Sequence, residues 1–350
     1  MRIKPPTRGP LFPDRGPLLP RLARRIGGIS AEVLAFILVT ILLVPAILVM
    51  SVVDLVLWLK SKKPPTGVRL ALMAWWFLFG EMQALIGLLL IWIFTGGPFG
   101  VGSLRRTRGL YALRIHWAAS HLGGFRVLFG LDFQVEDIEL ANPGPMIMMM
   151  RHASIIDNTL PDALVGRTNG IGLRFVIKKE LQALPTIDIG GRWAPTVFIR
   201  RASDDPEAEL TDLRSLTQGL GDGEAVLIYP EGTRPTPAKL KRAQEVIAER
   251  QPEIAPMAER LNHILPPRLG GPIGLIDESP TTDVVLCGHT GFDGLRSIGD
   301  IWGGALVGQT IRVRFWRFPA EEIPKTEEER TVWLYEKWQM LDDWVGEQLL

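Results

Sequence analysis

The run from Val33 to Val53 restricts this chain more than any other feature. It holds 21 residues without a charge and is broken only by Pro45. At about 1.5 Å of rise per residue, a helix of that length reaches across the roughly 30 Å hydrocarbon core of a bilayer. It is too long for the core of a signal peptide and lacks a convincing cleavage site. A second apolar stretch, Leu70 to Phe94, follows the basic connection Lys60-Ser61-Lys62-Lys63-Pro64-Pro65 and is interrupted by Glu81 and Gln83. Charges at the bilayer midplane are costly. Either Glu81 packs against the first helix, or the two helices dip into one leaflet as a hairpin. Residues 28–97 therefore read as a membrane-embedded two-helix segment. Residues 1–27, rich in Arg, Lys, Pro and Gly with Asp14 the only acid, read as a basic mobile arm. An even number of passes places that arm and Arg105-Arg106-x-Arg108 together on the cytoplasmic side.

Beyond Gly130 the pattern changes. Short apolar runs (Met146 to Met150, Phe175 to Ile177, Val197 to Ile199, Ala225 to Ile228, Val284 to Leu286 and Ile311 to Phe318) alternate with helical stretches such as Glu207 to Leu220 and Thr236 to Asn262. Such alternation predicts an α/β domain over residues 98–350 with its functional loops at strand ends. Ser103 to Ser120 reads as a helix with a basic face, either at headgroup level or packed. Thr326-x-x-Glu329 has capping-box spacing and opens an amphipathic helix carrying Trp333, Trp338, Leu341, Trp344 and Val345 on one side. Those side chains suit a membrane interface or the sheet. A net charge of +1 gives no argument for nucleic acid. The single cysteine, Cys287, excludes an intrachain disulfide and any Cys-based zinc site.

The chemistry concentrates in Arg151-His152-Ala153-Ser154-Ile155-Ile156-Asp157. Positions five apart point about 140° away from each other on a regular helix, so His152 and Asp157 cooperate only if His152 precedes the helix. Ser154 as N-cap, with Asp157 at the third helical position, leaves His152 on the loop and free to fold back. An imidazole donating from one nitrogen to Asp157 has the other available as a general base. The plain alternative is a helix-capping Asp beside an ordinary loop histidine. His289 with Asp293 forms a lesser rival pair. His116, His121 and His263 have no carboxylate at a telling spacing and read as structural.

A second block, Tyr229-Pro230-Glu231-Gly232-Thr233-Arg234, follows the strand-like run Ala225 to Ile228. Between the two lie Lys178-Lys179-Glu180-Leu181-Gln182-Ala183-Leu184-Pro185 and Phe198-Ile199-Arg200-Arg201. In this order the blocks resemble the lysophospholipid (1-acylglycerol-3-phosphate) acyltransferase family, nearest its lysocardiolipin acyltransferase-like branch, over residues 120–300. The resemblance implies a mixed sheet flanked by helices behind the two-helix membrane hairpin. It further implies transfer of a fatty acyl group from a thioester, acyl-CoA or acyl carrier protein, to the free hydroxyl of a lysophospholipid, in phospholipid synthesis or remodelling. The donor is a co-substrate, and neither cofactor nor metal is implied. His152 and Asp157 are the implied catalytic pair. Lys178, Arg201, Glu231, Gly232, Thr233 and Arg234 are the implied substrate-binding set, with Glu231 holding Arg234 in preference to binding acceptor hydroxyls. Lys179 and Arg200 fall off the motif register and read as surface charge. Two departures stand out: Arg151 where Asn is usual, which would alter the approach to His152 or add a phosphate contact, and Asp188 where Gly is usual. Alternative readings are an acyl-ester hydrolase using the same pair and a non-catalytic lipid-binding relative.

Overall fold

A computed structural model describes residues 3–14, 16–200, 205–295 and 297–349. Helices α1 (Leu18–Ser61), α2 (Gly67–Phe94) and α3 (Leu104–Phe129) precede the sheet. Its strands are β1 (Asp132–Glu136), β2 (Met146–Met150), β3 (Gly172–Lys178), β4 (Thr196–Ile199), β5 (Glu224–Ile228), β6 (Asp283–Thr290) and β7 (Thr310–Phe318). Between and after them come α4 (Arg167–Asn169), α5 (Pro185–Gly190), α6 (Pro206–Arg214), α7 (Pro237–Arg250), α8 (Ala255–Glu259), α9 (Gly270–Glu278), α10 (Ile298–Gly303) and α11 (Glu327–Leu349). The seven strands form one mixed sheet in the order β1-β7-β6-β2-β5-β3-β4, parallel at every pairing except β6 with β7. β1 was not among the expected strands. Its sequence, DFQVE, is short and charged and pairs only with β7, so its burial merely alternates.

β2 explains the architecture. Met-Ile-Met-Met-Met is wholly buried and hydrogen-bonds in parallel to β5 on one side and β6 on the other. A parallel strand covered on both faces needs no polar alternation, which is why it reads as an unbroken apolar run. Successive side chains still point to opposite faces. Met146, Met148 and Met150 join a core with Met73 of α2 and Ala118 and Leu122 of α3. Ile147 and Met149 join a second core with Ala258, Ile273, Trp338 and Leu341, from the helices after β5. α2 and α3, with Ile301 of α10, thus cover one face of the sheet, and α7, α8, α9 and α11 lie against the other. The tryptophan-rich helix α11 packs on the sheet: Trp338 and Leu341 are fully buried and Trp333 and Trp344 nearly so. Truncating Leu341 to Ala there would cost about 2–5 kcal/mol.

The amino-terminal arm departs from expectation. Residues 3–14 run along the α/β layer: Ile3 is buried, Lys4 N–H donates to Gly170 O, and Arg192 Nη1 donates to Phe12 O at 2.6 Å. Thr7 N–H donates to Glu224 Oε2 at 3.1 Å. The same carboxylate accepts Arg174 Nη2 at 2.7 Å and Tyr111 Oη at 2.8 Å, and Arg174 and Glu224 are sealed from solvent. Removing either charge alone would leave the other buried and uncompensated, at about 3–5 kcal/mol. A segment without apolar periodicity is held by these polar contacts, which composition does not reveal.

The hairpin touches the α/β domain at both ends. Arg24 and Arg25, near the start of α1, donate to the buried Asp188 carboxylate at 3.0 and 2.8 Å. This is the role of the Asp that replaces the usual Gly. At the far end Thr66 Oγ1 donates to Trp302 O at 2.8 Å, and Lys63 lies over the Trp302 ring. Asp54 accepts the N–H groups of Thr66, Gly67 and Val68, closing the turn and satisfying the open start of α2. Glu81 is buried, within electrostatic reach of Glu32 on α1. It accepts Trp117 Nε1 at 2.8 Å and Thr186 Oγ1 at 2.7 Å, binding α2 to α3 and α5. By length and composition α1 and α2 are both apolar enough to cross a membrane.

Candidate active site

Three neighbouring parallel strands deliver the site. In β6-β2-β5, Met150 pairs with Cys287 and Met149 with Ile228. His152 after β2, His289 near the end of β6 and Tyr229 to Glu231 after β5 consequently emerge at one carboxyl-terminal rim. Crevices at that end of a parallel sheet are the usual ligand sites of α/β folds.

No regular helix begins at Ser154. The chain bends through residues 154–156, makes a single 3-10 turn at Asp157–Thr159 and widens to a π-helical turn at Asp162–Gly166 before α4. The reason is Asp157, which gathers donors from its own loop. Its Oδ2 accepts Ala153 N–H at 2.6 Å and Ser154 N–H at 2.7 Å, while Oδ1 accepts Ser154 Oγ at 2.6 Å. Ser154 Oγ in turn accepts Ile156 N–H at 3.0 Å. The carboxylate reaches back to Ser154 as the capping box requires, but the loop closes around it.

His152 does fold back: its Nδ1 lies 3.2 Å from Asp157 Oδ2, with the carboxylate fully buried and the imidazole 12% exposed. With Nδ1–H donating, Nε2 carries a lone pair suited to accept a proton. Burial opposes ionisation of Asp157, yet the neighbouring imidazoles of His289 and His152 and the Ser154 hydroxyl hold its carboxyl below the ordinary aspartate value.

The lesser rival pair, His289 with Asp293, does not form: His289 turns to other partners. His289 is fully buried, with Nε2 3.1 Å from Arg151 O and 3.6 Å from Asp157 Oδ2. A carbonyl oxygen can only accept, so Nε2 bears the proton. Burial lowers the His289 pKa, against the opposing pull of Asp157 and Asp293. Asp293 binds Arg151 Nη2 and Gly291 N–H instead, and Arg151 Nη1 donates to His289 O at 2.5 Å. Arg151 is therefore a buried strut between the ends of β2 and β6, not a phosphate contact. The signal available in sequence was positional: His289, like His152, stands at the end of an apolar strand.

Glu231 is likewise a strut. Its Oε1 accepts His152 N–H at 2.7 Å and its Oε2 accepts Leu265 N–H at 3.0 Å, so it ties the second motif to the backbone of the first. Where the sequence assigned it to Arg234, both carboxylate oxygens are taken up by main chain. Burial raises its pKa to about 7, against the opposing pull of Arg151 and the two N–H donors. Gly232 has φ +64°, a left-handed conformation natural to glycine, and a Cβ there would stand 2.8 Å from Arg268 Nε. Thr233 Oγ1 accepts Lys239 Nζ at 3.0 Å. The Tyr229 ring lies 4.8 Å from the His152 ring and burial raises its phenol pKa well above normal. Arg234 sits half-buried on the turn after β5 and Lys178 half-buried at the end of β3, on the same rim. Arg201 lies outside the described residues. Among the described residues no group of His, Cys, Asp and Glu side chains is arranged to hold a metal ion.

Residues 132–263, which contain the His152 loop and the Glu231 turn, match the family described as Acyltransferase. Among individual proteins, the chain is 24% identical over 213 residues to mouse 1-acyl-sn-glycerol-3-phosphate acyltransferase epsilon, covering 57% of each protein. It is 25% identical over 205 residues to the probable 1-acyl-sn-glycerol-3-phosphate acyltransferase 5 of Arabidopsis thaliana, covering 56% of this chain and 52% of that one. The chain thus spans little more than half the length of these curated relatives. The crystal structure of the 1-acyl-sn-glycerophosphate (LPA) acyltransferase PlsC from Thermotoga maritima aligns over 77% of this chain and 97% of its own, with a TM-score of 0.47 and 16% identity.

Proposed function

We propose that the protein is a membrane-bound O-acyltransferase that moves a fatty acyl group from an acyl thioester to the free hydroxyl of a lysophospholipid such as 1-acylglycerol-3-phosphate. The observation that carries this reading is the His152–Asp157 pair at the end of the central strand, with the His152 backbone tied to Glu231 of the second motif. A thioester is already activated, so the protein must deprotonate an alcohol, align it and stabilise an oxyanion. His152 Nε2 removes the proton as the hydroxyl oxygen attacks the thioester carbonyl, and Asp157 stabilises the resulting imidazolium. The tetrahedral intermediate collapses by breaking the carbon–sulfur bond, and the imidazolium returns the proton to the leaving thiolate. No side-chain nucleophile is needed. Arg234, Lys178 and Arg201 supply cations for the acceptor's phosphate, with guanidinium forks suited to paired contacts.

The hairpin delivers the lipid. About 37 residues separate Arg25 from Ser61, or roughly 55 Å of helix, and contacts near both ends of α1 belong to the same domain. A helix held at both ends by one globular body lies along it, so the exposed side chains of Leu34, Leu38, Ile41 and Leu48 enter one leaflet and the domain stays on the cytoplasmic face. Purified protein incubated with a labelled acyl thioester and lysophosphatidic acid tests the function. Diacyl product supports it; free fatty acid alone shows a hydrolase, and binding of both ligands without turnover shows a lipid-binding protein.

A further inference from the structure

A cavity of about 760 Å³ opens beside the motif turn, lined by Glu231 and Thr233, by α7, by the loop Leu265 to Gly270 and by Tyr335 of α11. Neither His152 nor Asp157 lines it. We propose that this cavity binds the phosphorylated, nucleotide-bearing end of the acyl donor, a coenzyme A-type thioester, while the lipid acceptor reaches His152 from the other side of the sheet. The inference rests on the acyl-transfer reading above.

Three observations carry it. Position comes first: the cavity lies among the helices that pack on the Ile147/Met149 face of the sheet, whereas α2 and α3 pack on the Met146/Met148/Met150 face. A ligand entering between α7 and α11 arrives from water, as a soluble donor must, and not from the leaflet that receives the hairpin. Charge is the second. Arg268, Arg242 and Lys239 stand at the cavity, Arg268 lying across Gly232 with its N–H on Pro230 O. Arg242 has a distant, exposed ion pair with Glu245 at 3.7 Å, and the Arg268 guanidinium has no hydrogen-bond partner among the described residues. Among the described lining residues the one carboxylate, Glu231, has both oxygens bound to backbone N–H. The balance favours an anion, and guanidinium groups suit phosphate oxygens.

Third, the cavity contains an unpartnered donor. Tyr335 is 2% exposed and its hydroxyl has no hydrogen-bond partner among the described residues. A buried polar group left unpaired costs free energy that a ligand acceptor would recover. Val246, Ile247, Leu265 and Pro266 supply apolar walls against which a flat base or a pantetheine arm can pack. A concave site of this volume matches a small molecule more closely than the flat contact of a carrier protein.

The test uses the full chain in phospholipid nanodiscs, with coenzyme A titrated by calorimetry and initial rates measured against acyl-CoA and lysophosphatidic acid separately. Replacing both Arg242→Ala and Arg268→Ala is expected to weaken coenzyme A binding, and to raise KM for acyl-CoA, by about tenfold or more. KM for lysophosphatidic acid should not move. Ala243→Trp, on a half-buried position of α7, should block the cavity with the same selectivity and serves as a second variant whose unfolding temperature is checked. Unchanged coenzyme A affinity in both variants overturns the proposal. So does a rise confined to KM for lysophosphatidic acid, which would make the cavity a lipid-phosphate site, or a loss confined to binding of holo-acyl carrier protein. Coenzyme A binding that responds to the variants in a protein making no diacyl product would retain the cavity and reject the transfer reading; diacyl product with KM unmoved would do the reverse.

Discussion

The loop after β2 and the turn after β5 each bury one carboxylate beside His152, and the two are handled in opposite ways. Asp157 sits within reach of two imidazoles, two backbone N–H groups and a hydroxyl, and its pKa falls despite burial. Glu231 receives two backbone N–H groups and a more distant guanidinium, and burial carries its pKa up to about 7. Ionisation is favoured where an imidazolium must form and is opposed where the group serves as a tether. Burial alone therefore does not decide the state of an acid: the count of donors facing it does.

Removing the charge from the first carboxylate should have the largest effect. Asp157→Asn keeps the volume but can present an amide N–H to His152, favouring the wrong tautomer, and kcat for acyl transfer is expected to fall by about 10³–10⁴. Binding of lysophosphatidic acid, measured by calorimetry, should be retained. Next comes Glu231→Gln, which retains one acceptor but turns an amide N–H toward a backbone donor. A displacement of the His152 backbone by a fraction of an ångström is expected to lower kcat by about tenfold to a hundredfold. His289→Gln ranks third. The amide can still donate to Arg151 O, so about a tenfold loss in kcat with KM for both substrates unchanged is expected, whereas a purely structural histidine would lower protein yield and leave kcat intact.

The smallest effect concerns stability against pH. The folded value of Glu231, about 7, lies above its ordinary 4.5, so the stability it contributes is present below pH 4.5 and is lost as pH rises toward 7. Asp157 has the opposite sign: its contribution is present above the ordinary aspartate range and is lost as pH falls through the lowered value. Denaturant midpoints of Glu231→Gln from pH 4.5 to 7 should therefore vary less than those of the parent. An identical slope in both proteins would show that Glu231 does not titrate in that window.

Much of this arrangement is legible in residue order, because contiguous apolar strands such as Met146 to Met150 and local spacings such as His152 to Asp157 encode themselves. The α/β layer, the hairpin and the sheet-packed α11 all rest on such local patterns. What escapes notice is long-range pairing. Nothing near Thr7 announces Glu224, nothing near Arg25 announces Asp188, and His289 meets Asp157 only because β6 happens to lie beside β2. Glu231 was assigned to the nearest cation in sequence, Arg234, whereas strand adjacency gives its oxygens to the His152 and Leu265 amides. The helix expected at Ser154 failed for a related reason: an Asp already bonded to its own loop competes with helical hydrogen bonding.

The central claim is that His152, held by Asp157, is the base for acyl transfer. Its most direct test is His152→Ala in nanodiscs, assayed for diacyl product from a labelled acyl thioester and lysophosphatidic acid, with circular dichroism and membrane flotation run alongside. Loss of product with an unchanged spectrum and full membrane retention is the predicted result; turnover at or near the parent rate in that variant would contradict it.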